Sequence, residues 1–439
     1  MGRPNILWIV TTQWRAQALG SAGDPNAHTP WLDALAEESV NFTQAVTPHP
    51  FGPFARAALL TGVPSPANGL RGYFDPLPAG TRTIAHDLRE RGYATAFFGK
   101  WHLGRRDPAT PLVGRAAATK VVPLEERGGF ECWEGFDGGF MLNDPWLHGT
   151  RLSVPVEARG YQSDVLCGRA GDWIRSRPRV LDPGAAAGEP AGRPWFCVVS
   201  LEAPHPPYDA PAAGVRAREP GEIVLASNVP RGGDTEVRAR RELAGYYTHI
   251  EATDRAVGKL IGAMPRNSAQ GRPQTIIVFT SAHGDMHGAH GLFRKGWPHE
   301  ESVRVPLLVR GLRRKGADAQ DAPARGERRE DAVSLLDLPA MTREWAVVGG
   351  DLPARVLTHA KISMPSAVPL PHQCDRAWRG VRTKTRKLVL GTDEAGPPWA
   401  FFDLEQDPGE TKNLARDPGR ADEVAELTAL AVSVSSSRR

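Results

Sequence analysis

Short apolar runs alternate with longer amphipathic segments between residues 5 and 281. The apolar runs have the length and β-branched composition of strands buried on both faces, and the amphipathic segments have a helical period. The predicted strands are NILWIV, NFTQAV, YATAFFG, PWFCVVSLEAP and QTIIVFTS. The predicted helices are TPWLDALAEESV, FARAALLTG, TIAHDLRERG, DVLCGRAGDWIRSR and ARRELAGYYTHIEATDRAVGKLIGAM. This alternation predicts an α/β fold with a large, mostly parallel sheet covered by helices on both faces.

The pattern changes after about residue 375. The segment RGVRTKTRKLVLGTDEAGPPWAFFDLEQDP alternates apolar and polar positions, which predicts a small antiparallel sheet, and RADEVAELTALAVSV predicts a final helix. We therefore expect an α/β domain over residues 1–374 and a small C-terminal α+β subdomain over residues 375–439. Residues 180–194 and 312–330 are predicted loops, because Gly, Ala, Pro and charged residues dominate them.

Composition narrows the classes of partner. The chain has 439 residues, which suits one large domain or two unequal ones. Its net charge of +4 is small for this length, and the longest basic cluster, RTKTRKL, is typical of a solvated strand and hairpin face. We therefore expect no nucleic-acid partner.

The cysteines and the apolar runs bear on the compartment. No run reaches the length of a membrane span, and the first ten residues lack a signal-peptide cleavage site. The cysteines show neither C-x-x-C nor metal-ligand spacing, which predicts buried thiols in a reducing compartment. These cysteines are Cys132, Cys167, Cys197 and Cys374. We expect a cytoplasmic protein without a membrane partner.

Candidate chemistry follows the predicted strands. In open parallel sheets, ligands bind at the C-terminal ends of the strands. Four polar segments stand at such ends: TTQWR, GKWHLG, APHPPY and SAHGDMHGAHG. We therefore expect these four segments to meet in one pocket.

The same segments carry a family resemblance over nearly the whole chain. In order along the sequence, RPNILWIVTTQWRAQALG, GYATAFFGKWHLG, APHPPYDAP, FTSAHGDMHGAHGLFRKG, ESVRVPLLVRG and FFDLEQDPGETKNLA resemble type I sulfatases of the alkaline phosphatase superfamily. The resemblance implies an alkaline-phosphatase-like fold. It also implies a formylglycine nucleophile, made from the Cys of a C-x-P-x-R motif, and a divalent cation, usually calcium.

The sequence departs from that family at the nucleophile. HPFGPFARAALLTG resembles the nucleophile segment, and counting back four residues from Arg56 gives Gly52 where the Cys is expected. Phe54 stands at the place of the motif's Pro, and Val63 at the place of an Arg. None of the four cysteines lies in a C-x-P-x-R context. Glycine has no side chain to attack sulfur, so we expect no formylglycine chemistry.

The expected metal site departs as well. By the resemblance, Thr12 and Ala282 stand where acidic ligands are usual, and Gln17 where Asp is frequent. Calcium requires hard oxygen ligands, mostly carboxylates, and neither Gln13 nor His283 supplies one. The prediction is therefore that the protein uses no metal and no cofactor. A new transition-metal site formed by His283, His287 and His290 is also disfavoured, because glycines separate them.

The anion-binding residues of the family are retained. The resemblance assigns Arg56, Lys100 and Lys295 to the sulfate. It also places His102, His205 and His283 in the pocket, and imidazoles can transfer protons there. We expect a small sulfated or otherwise anionic ligand.

Three functions are consistent with these residues. The first is a repurposed enzyme that cleaves the C–O bond of a sulfate ester by intramolecular cyclisation or elimination, with sulfate as leaving group. The second is a non-catalytic pseudo-sulfatase that binds an anionic ligand or a partner protein. The third is an atypical hydrolase of sulfate or phosphate esters. The first is favoured, because a pocket without use should lose cationic groups as readily as carboxylates. Homo-oligomer formation stays open.

Overall fold

The computed structural model describes residues 3–177, 192–264, 275–314, 322–351, 358–392 and 396–433. The strands are β1 (Asn5–Thr11), β2 (Ser39–Phe42), β3 (Ala94–Lys100), β4 (Cys132–Phe136), β5 (Trp146–Gly149), β6 (Val156–Glu157), β7 (Trp195–Ser200), β8 (Thr275–Ser281), β9 (Leu307–Arg310), β10 (Arg313–Arg314), β11 (Ala322–Pro323), β12 (Glu327–Arg329), β13 (His359–Met364), β14 (Trp378–Thr383), β15 (Arg386–Leu390) and β16 (Ala400–Asp403). The helices are α1 (Pro30–Glu37), α2 (Gly52–Thr61), α3 (Ile84–Glu90), α4 (Arg115–Ala118), α5 (Gln162–Arg175), α6 (Asp234–Gly262), α7 (Glu300–Val303), α8 (Leu338–Val348) and α9 (Ala421–Val432).

The main sheet has ten strands in the order β12-β2-β9-β8-β1-β7-β3-β4-β5-β6. Its centre is parallel: β1 pairs with β7 and β8, and β3 pairs with β7 and β4. The strands β9, β5 and β6 run antiparallel to their neighbours. The predicted α/β fold with a large mixed, mostly parallel sheet is therefore confirmed.

Two apolar layers cover the sheet because the residues of its central strands alternate between the two faces. In β1, Trp8 belongs to the core that includes helices α2, α3 and α8, whereas Leu7 belongs to the core that includes α1, α5 and α6. Both side chains are fully buried. Burial on both faces explains why the strand is a continuous apolar run in the sequence.

The C-terminal residues form the predicted antiparallel sheet, in the order β13-β14-β15-β16. Helix α9 packs on it through Leu427, which shares a small core with Val381 and Phe401. The sheet begins with β13, so residue 375 falls between its first and second strands. The division into two domains stays a prediction.

A buried charge network joins the small sheet to the main domain. The backbone N–H of Glu300 donates to Glu410 Oε2 at 2.7 Å, and Lys387 Nζ contacts both Glu410 and Glu300. Arg382 Nη2 donates to Glu300 Oε2 at 3.0 Å. The cationic partners outweigh the effect of burial and hold the pKa of Glu300 below its usual value.

Several local predictions need correction. The second predicted strand begins earlier, at Ser39, because Ser39 already pairs with Arg310 of β9. The predicted loop 312–330 includes strand β12, which pairs with β2 at the sheet edge. Most of the predicted loop 180–194 lies outside the described residues. Strands β4, β9 and β13 and helix α8 carry no sequence prediction.

The cysteines are buried and free, as predicted. Among the helices of the described ranges, none combines the length and the apolar composition of a membrane span.

Candidate functional site

The candidate site lies at the C-terminal ends of four adjacent strands, β3, β7, β1 and β8. Thr12 and Gln13 follow β1, Lys100 ends β3, His205 lies beyond β7, and His283 follows β8. All five side chains are buried. The four segments that the sequence analysis singles out therefore meet at one edge of the sheet.

Arg56 reaches this edge from helix α2, which begins at Gly52. Its Nη2 donates to Thr12 Oγ1 at 2.7 Å, and that hydroxyl donates to the Leu201 carbonyl at 2.9 Å. Arg56 Nε and Nη1 are buried and have no hydrogen-bond partner among the described residues. Burial lowers the pKa of Arg56 to about 10, against the opposing charges of Glu202 and Asp137. The guanidinium thus keeps two N–H groups for an acceptor that the protein does not supply.

Gly52 lies directly against His102. A Cβ placed on Gly52 would lie 2.8 Å from His102 Nδ1 and 3.6 Å from Arg56 Nη1. A separation of 2.8 Å is shorter than carbon–nitrogen contact allows, so any side chain at this position requires the imidazole to move. The position of residue 52 is therefore in direct contact with the two groups expected to bind an oxyanion.

Lys100 forms a buried ion pair with Glu202, from Nζ to Oε1 at 2.5 Å. His205 Nδ1 lies 3.5 Å from the same carboxylate oxygen. The Lys100 ammonium is also 4.7 Å from the centroid of the Phe140 ring, which stacks on His205. Burial lowers the pKa of Lys100 to about 8; the Glu202 charge opposes this shift and Arg56 adds to it. Close to neutral pH the lysine is charged.

Lys295 joins the other half of the site. Its Nζ donates to Gln13 Oε1 at 2.6 Å and lies 3.2 Å from His205 Nε2. Gln13 Nε2 donates to Asp285, and the Tyr208 hydroxyl donates to the same oxygen, Asp285 Oδ2, at 3.0 Å. The Gln13 amide therefore links the Lys295 ammonium to a buried carboxylate.

Asp285 is ionised in this arrangement. Burial alone raises the pKa of Asp285, but the neighbouring His287, Arg294 and Lys295 side chains outweigh this effect and lower that pKa to about 2. The pKa of Lys295 is also lowered, well below its usual value, by burial and by the nearby Lys100 charge. For a lysine this shift favours the neutral form, whereas for Asp285 it favours the charged form.

The three pocket histidines are neutral. Burial is the largest cause in each case, and neighbouring Lys and Arg charges add to it, so the pKa values of His102, His205 and His283 lie well below the ordinary value. His283 Nδ1 lies 2.8 Å from the Gly284 carbonyl, which can only accept, so this nitrogen carries the proton. His283 Nε2 is then a lone-pair acceptor, and no described residue hydrogen-bonds to it.

His205 differs from His283 because both of its ring nitrogens are engaged. Its Nδ1 donates to the Pro206 carbonyl at 2.8 Å, and its Nε2 faces the Lys295 ammonium. His102 Nδ1 is buried and without a partner in the described ranges. Of the three predicted proton-transfer residues, His283 and His102 therefore have unused ring nitrogens.

Strained backbone accompanies these contacts. Gln13, His102 and Phe140 have φ angles of 67°, 58° and 52°, in the left-handed region that disfavours residues other than glycine. Each such residue costs on the order of 1–3 kcal/mol and persists only where surrounding contacts fix it. Non-glycine residues with positive φ also occur away from the pocket, for example Asp144 and Glu410, so this conformation is not confined to the site.

The residues at the expected metal position do not suit calcium. Calcium takes about six to eight oxygen ligands, mostly carboxylates and carbonyls. The Thr12 hydroxyl is shared between Arg56 and a carbonyl, the Gln13 side-chain oxygen accepts from Lys295, and the Ala282 side chain has no donor atom. The donor set offers a cation no free oxygen from these three residues.

The histidines of the HGDMHGAHG segment do not gather around one point. His287 packs against Tyr246, with ring centroids 4.4 Å apart, and His290 stacks on His299 at 4.1 Å. The described residues contain a different group, His290, His299 and Glu410, whose possible ligand atoms lie within 4.8 Å of one another. Glu410 is already held by Lys387 and the Glu300 amide, so the group is explained by the charge network between the sheets.

The sequence analysis missed two carboxylates of the site, Glu202 and Asp285, and the ring of Phe140. Glu202 stands two residues beyond β7 and three before His205, and this position was its only signal. Phe140 lies in a Gly-rich loop that no pattern distinguishes.

Comparison with known proteins identifies the family. The family model named Sulfatase matches residues 4–346. This chain belongs to the sulfatase family. The sulfatase-family chain is 33% identical over 429 residues to the ulvan-active sulfatase of Formosa agariphila, covering 95% of this chain and 78% of that protein. It is 26% identical to an arylsulfatase of Clostridium perfringens, over 94% of this chain and 90% of that protein.

Solved structures agree on the fold. The putative sulfatase yidJ from Bacteroides fragilis superposes with a TM-score of 0.75 at 22% identity, covering 98% of this chain and 94% of that one. The phosphonate monoester hydrolase of Agrobacterium radiobacter gives a TM-score of 0.69 at 22% identity, with coverages of 97% and 94%. The alkaline-phosphatase-like architecture expected from the sequence is confirmed.

Proposed function

We propose that this sulfatase-family protein binds the sulfate ester of a small molecule and promotes cleavage of its C–O bond, without formylglycine and without calcium. The observation that carries the proposal is the buried Arg56 guanidinium, whose Nε and Nη1 have no hydrogen-bond partner among the described residues and lie beside a residue that has no side chain. Lys100 adds positive charge to the same site, and Lys295 adds a further N–H donor group. The N-terminus of helix α2 at Gly52 favours an anion further.

In this proposal no side chain at the expected nucleophile position can attack the sulfur atom. Gly52 has no side chain, and the Thr12 hydroxyl donates its proton to the Leu201 carbonyl. Water activated by a metal is also unsupported, because the Thr12 and Gln13 oxygens are engaged by cationic side chains. What the site offers is stabilisation of negative charge on a departing sulfate.

In the proposed step, the bond that forms and the bond that breaks both belong to the substrate. A nucleophilic N–H or O–H group of the substrate attacks the carbon that bears the sulfate. The new bond forms as the C–O bond breaks, and the bonding electron pair leaves on sulfate. The proton of the nucleophile passes to a base of the pocket, for which His283 Nε2 has the free lone pair. Holding both reacting ends in one site can contribute about 7–11 kcal/mol.

Isotope labelling tests the proposal. The protein is incubated in oxygen-18 water with primary alkyl sulfates that carry an amino or hydroxyl group, and the sulfate and the organic product are analysed by mass spectrometry. Unlabelled sulfate together with a cyclised or dehydrated product supports C–O cleavage. Label in the sulfate would mean hydrolysis at sulfur and would overturn the proposal. Binding without any product would overturn it in favour of a non-catalytic binding protein.

Variants connect the reaction to the site. Arg56→Met removes the unpaired guanidinium and should abolish sulfate release. Arg71→Met is the matched control, because Arg71 is exposed and distant in the chain from the strand ends. Equal activity of the two variants would remove Arg56 from the mechanism.

A further inference from the structure

Sulfate binding does not explain the second carboxylate oxygen of Glu202. Glu202 lies among the cations of the site, with its Oε1 on Lys100, and its side chain is fully buried. Its Oε2 is also buried and has no hydrogen-bond partner among the residues that the structure describes. A buried carboxylate repels a bound sulfate, and an unpaired buried oxygen is costly in itself. The Lys100 contact accounts for Oε1, so a site built for sulfate alone gains nothing from the second oxygen.

The fold holds Glu202 in place from several sides. The Glu202 backbone N–H donates to Gln162 Oε1 at 3.0 Å, and Glu202 Oε1 contacts Lys100 Nζ and lies 3.5 Å from His205 Nδ1. Lys100 satisfies only one carboxylate oxygen. The second oxygen is therefore a positioned acceptor for which the described residues supply no donor.

We propose that Glu202 Oε2 binds an ammonium group of the substrate, so that the substrate class is the sulfate ester of an amino alcohol. An ammonium supplies the missing N–H donor, and its charge converts the repulsion between Glu202 and sulfate into attraction. A hydroxyl supplies the donor but not the charge, and charge-assisted hydrogen bonds are roughly twice as strong as neutral ones. Glu202 is then a specificity-determining residue. This inference rests on the proposed binding of a sulfate ester at Arg56.

Binding by calorimetry to four synthetic sulfates tests the assignment. The ligands are n-butyl, 4-hydroxybutyl, 4-aminobutyl and 4-(trimethylammonio)butyl sulfate, which separate the donor from the charge. We expect 4-aminobutyl sulfate to bind about 10- to 100-fold more tightly than n-butyl sulfate, the range that a charged hydrogen bond contributes. The quaternary compound, which has charge but no N–H, should bind less tightly than the primary amine.

Glu202→Gln should remove the preference for the amine, measured as the ratio of the dissociation constants of n-butyl and 4-aminobutyl sulfate for the same protein, because Gln keeps the shape and an acceptor oxygen for Lys100 but carries no charge. Glu125→Gln is the matched control, since Glu125 is exposed and far along the chain. Equal affinities of the wild-type protein for the butyl and aminobutyl compounds, or tighter binding of the hydroxybutyl compound, would overturn the inference.

Failure of this inference is separate from failure of the proposed function. If n-butyl sulfate binds and the amine adds nothing, only the substrate class is wrong. If no alkyl sulfate binds the wild-type protein, sulfate-ester recognition itself is wrong. If Glu202→Gln unfolds, the comparison among the four ligands on the wild-type protein still decides the question.

Discussion

Lys100 Nζ and Glu202 Oε1 lie 2.5 Å apart, although their positions are 102 residues apart in the chain, and neither side chain is more than 1% exposed. Each charge therefore depends on the other for its solvation. The pair also joins strand β3 to the segment after β7, at the centre of the candidate site. Its removal should affect stability as well as ligand binding.

The ion pair predicts non-additive stability changes. Lys100→Met leaves the Glu202 carboxylate buried without its partner, and breaking such a pair costs about 3–5 kcal/mol. The double variant Lys100→Met with Glu202→Gln should recover much of that loss, because no unpaired charge remains. Urea unfolding of both single variants and the double variant measures the coupling. Additive effects would contradict the pairing.

The lowered pKa of Lys100 predicts that sulfate binding weakens at alkaline pH. The folded-state pKa of about 8 lies below the ordinary lysine value of 10.5, so the ammonium loses its proton as pH rises through 8 in the folded protein. Affinity for inorganic sulfate should therefore fall between pH 7 and pH 9. The arginine of Lys100→Arg keeps its charge throughout this range. In this variant the dissociation constant for sulfate should therefore differ less between pH 7 and pH 9 than in the wild-type protein.

The lowered pKa of Lys100 also determines whether the stability of the folded protein rises or falls with pH. Between the folded and unfolded pKa values the unfolded chain binds more protons at Lys100, so this residue makes stability rise with pH from about 8 to 10.5. Binding and stability therefore respond to pH in opposite directions. A parallel decline of both would show that another group dominates.

Gly52→Ala should weaken sulfate binding, because the new Cβ would lie 2.8 Å from His102 Nδ1 and displace the imidazole. The same variant should also lower turnover, because misplacing a group near the reacting atoms by about 1 Å can cost on the order of 100-fold. Gly168→Ala is the control, since it adds a methyl group to an exposed glycine of helix α5 with nothing within 4 Å. Unchanged sulfate affinity in Gly52→Ala would show that His102 yields without consequence.

His283→Asn should separate binding from chemistry. His283 Nε2 has a free lone pair, so its loss removes the proposed proton acceptor and lowers turnover by about 10²–10⁴. The affinity for inorganic sulfate should change little, because Arg56, Lys100 and Lys295 remain. His205→Asn is the comparison, since both of its ring nitrogens are already engaged. A larger loss of turnover in His205→Asn would reverse the assignment.

Removal of divalent cations should leave the protein unchanged. The hydroxyl of Thr12 and the amide oxygen of Gln13 are engaged by Arg56 and Lys295, and Ala282 offers no ligand. Neither chelator nor added calcium should alter the melting temperature or the affinity for sulfate. A rise in melting temperature on adding calcium would contradict the assignment of these contacts, because a bound ion stabilises the folded state.

The central strands could be predicted because burial on both faces leaves a continuous apolar run. Strand β4 escaped prediction because it contains Glu134, a buried carboxylate paired with Arg151 and Arg169 from other segments. Strand β12, Glu327–Arg329, has no apolar residue and is defined only by its pairing with β2. In both cases the deciding contacts are distant in sequence.

The same limit applies to the site. The residues that follow strands could be predicted to meet, because parallel strands bring their ends together. Glu202 could not be recognised, since an acidic residue after a strand is most often solvated. Only the fold brings Lys100 to it. The tautomer of His283 likewise depends on a backbone carbonyl, that of Gly284, whose direction no local pattern specifies.

The contact between Gly52 and His102 has an evolutionary consequence. A codon change that placed a thiol or hydroxyl at residue 52 would introduce a side chain into the space of an imidazole that is itself held in a strained backbone conformation. Such a side chain is accommodated only if the imidazole moves away from residue 52. Gaining a nucleophile at residue 52 would therefore disturb His102 in the same step.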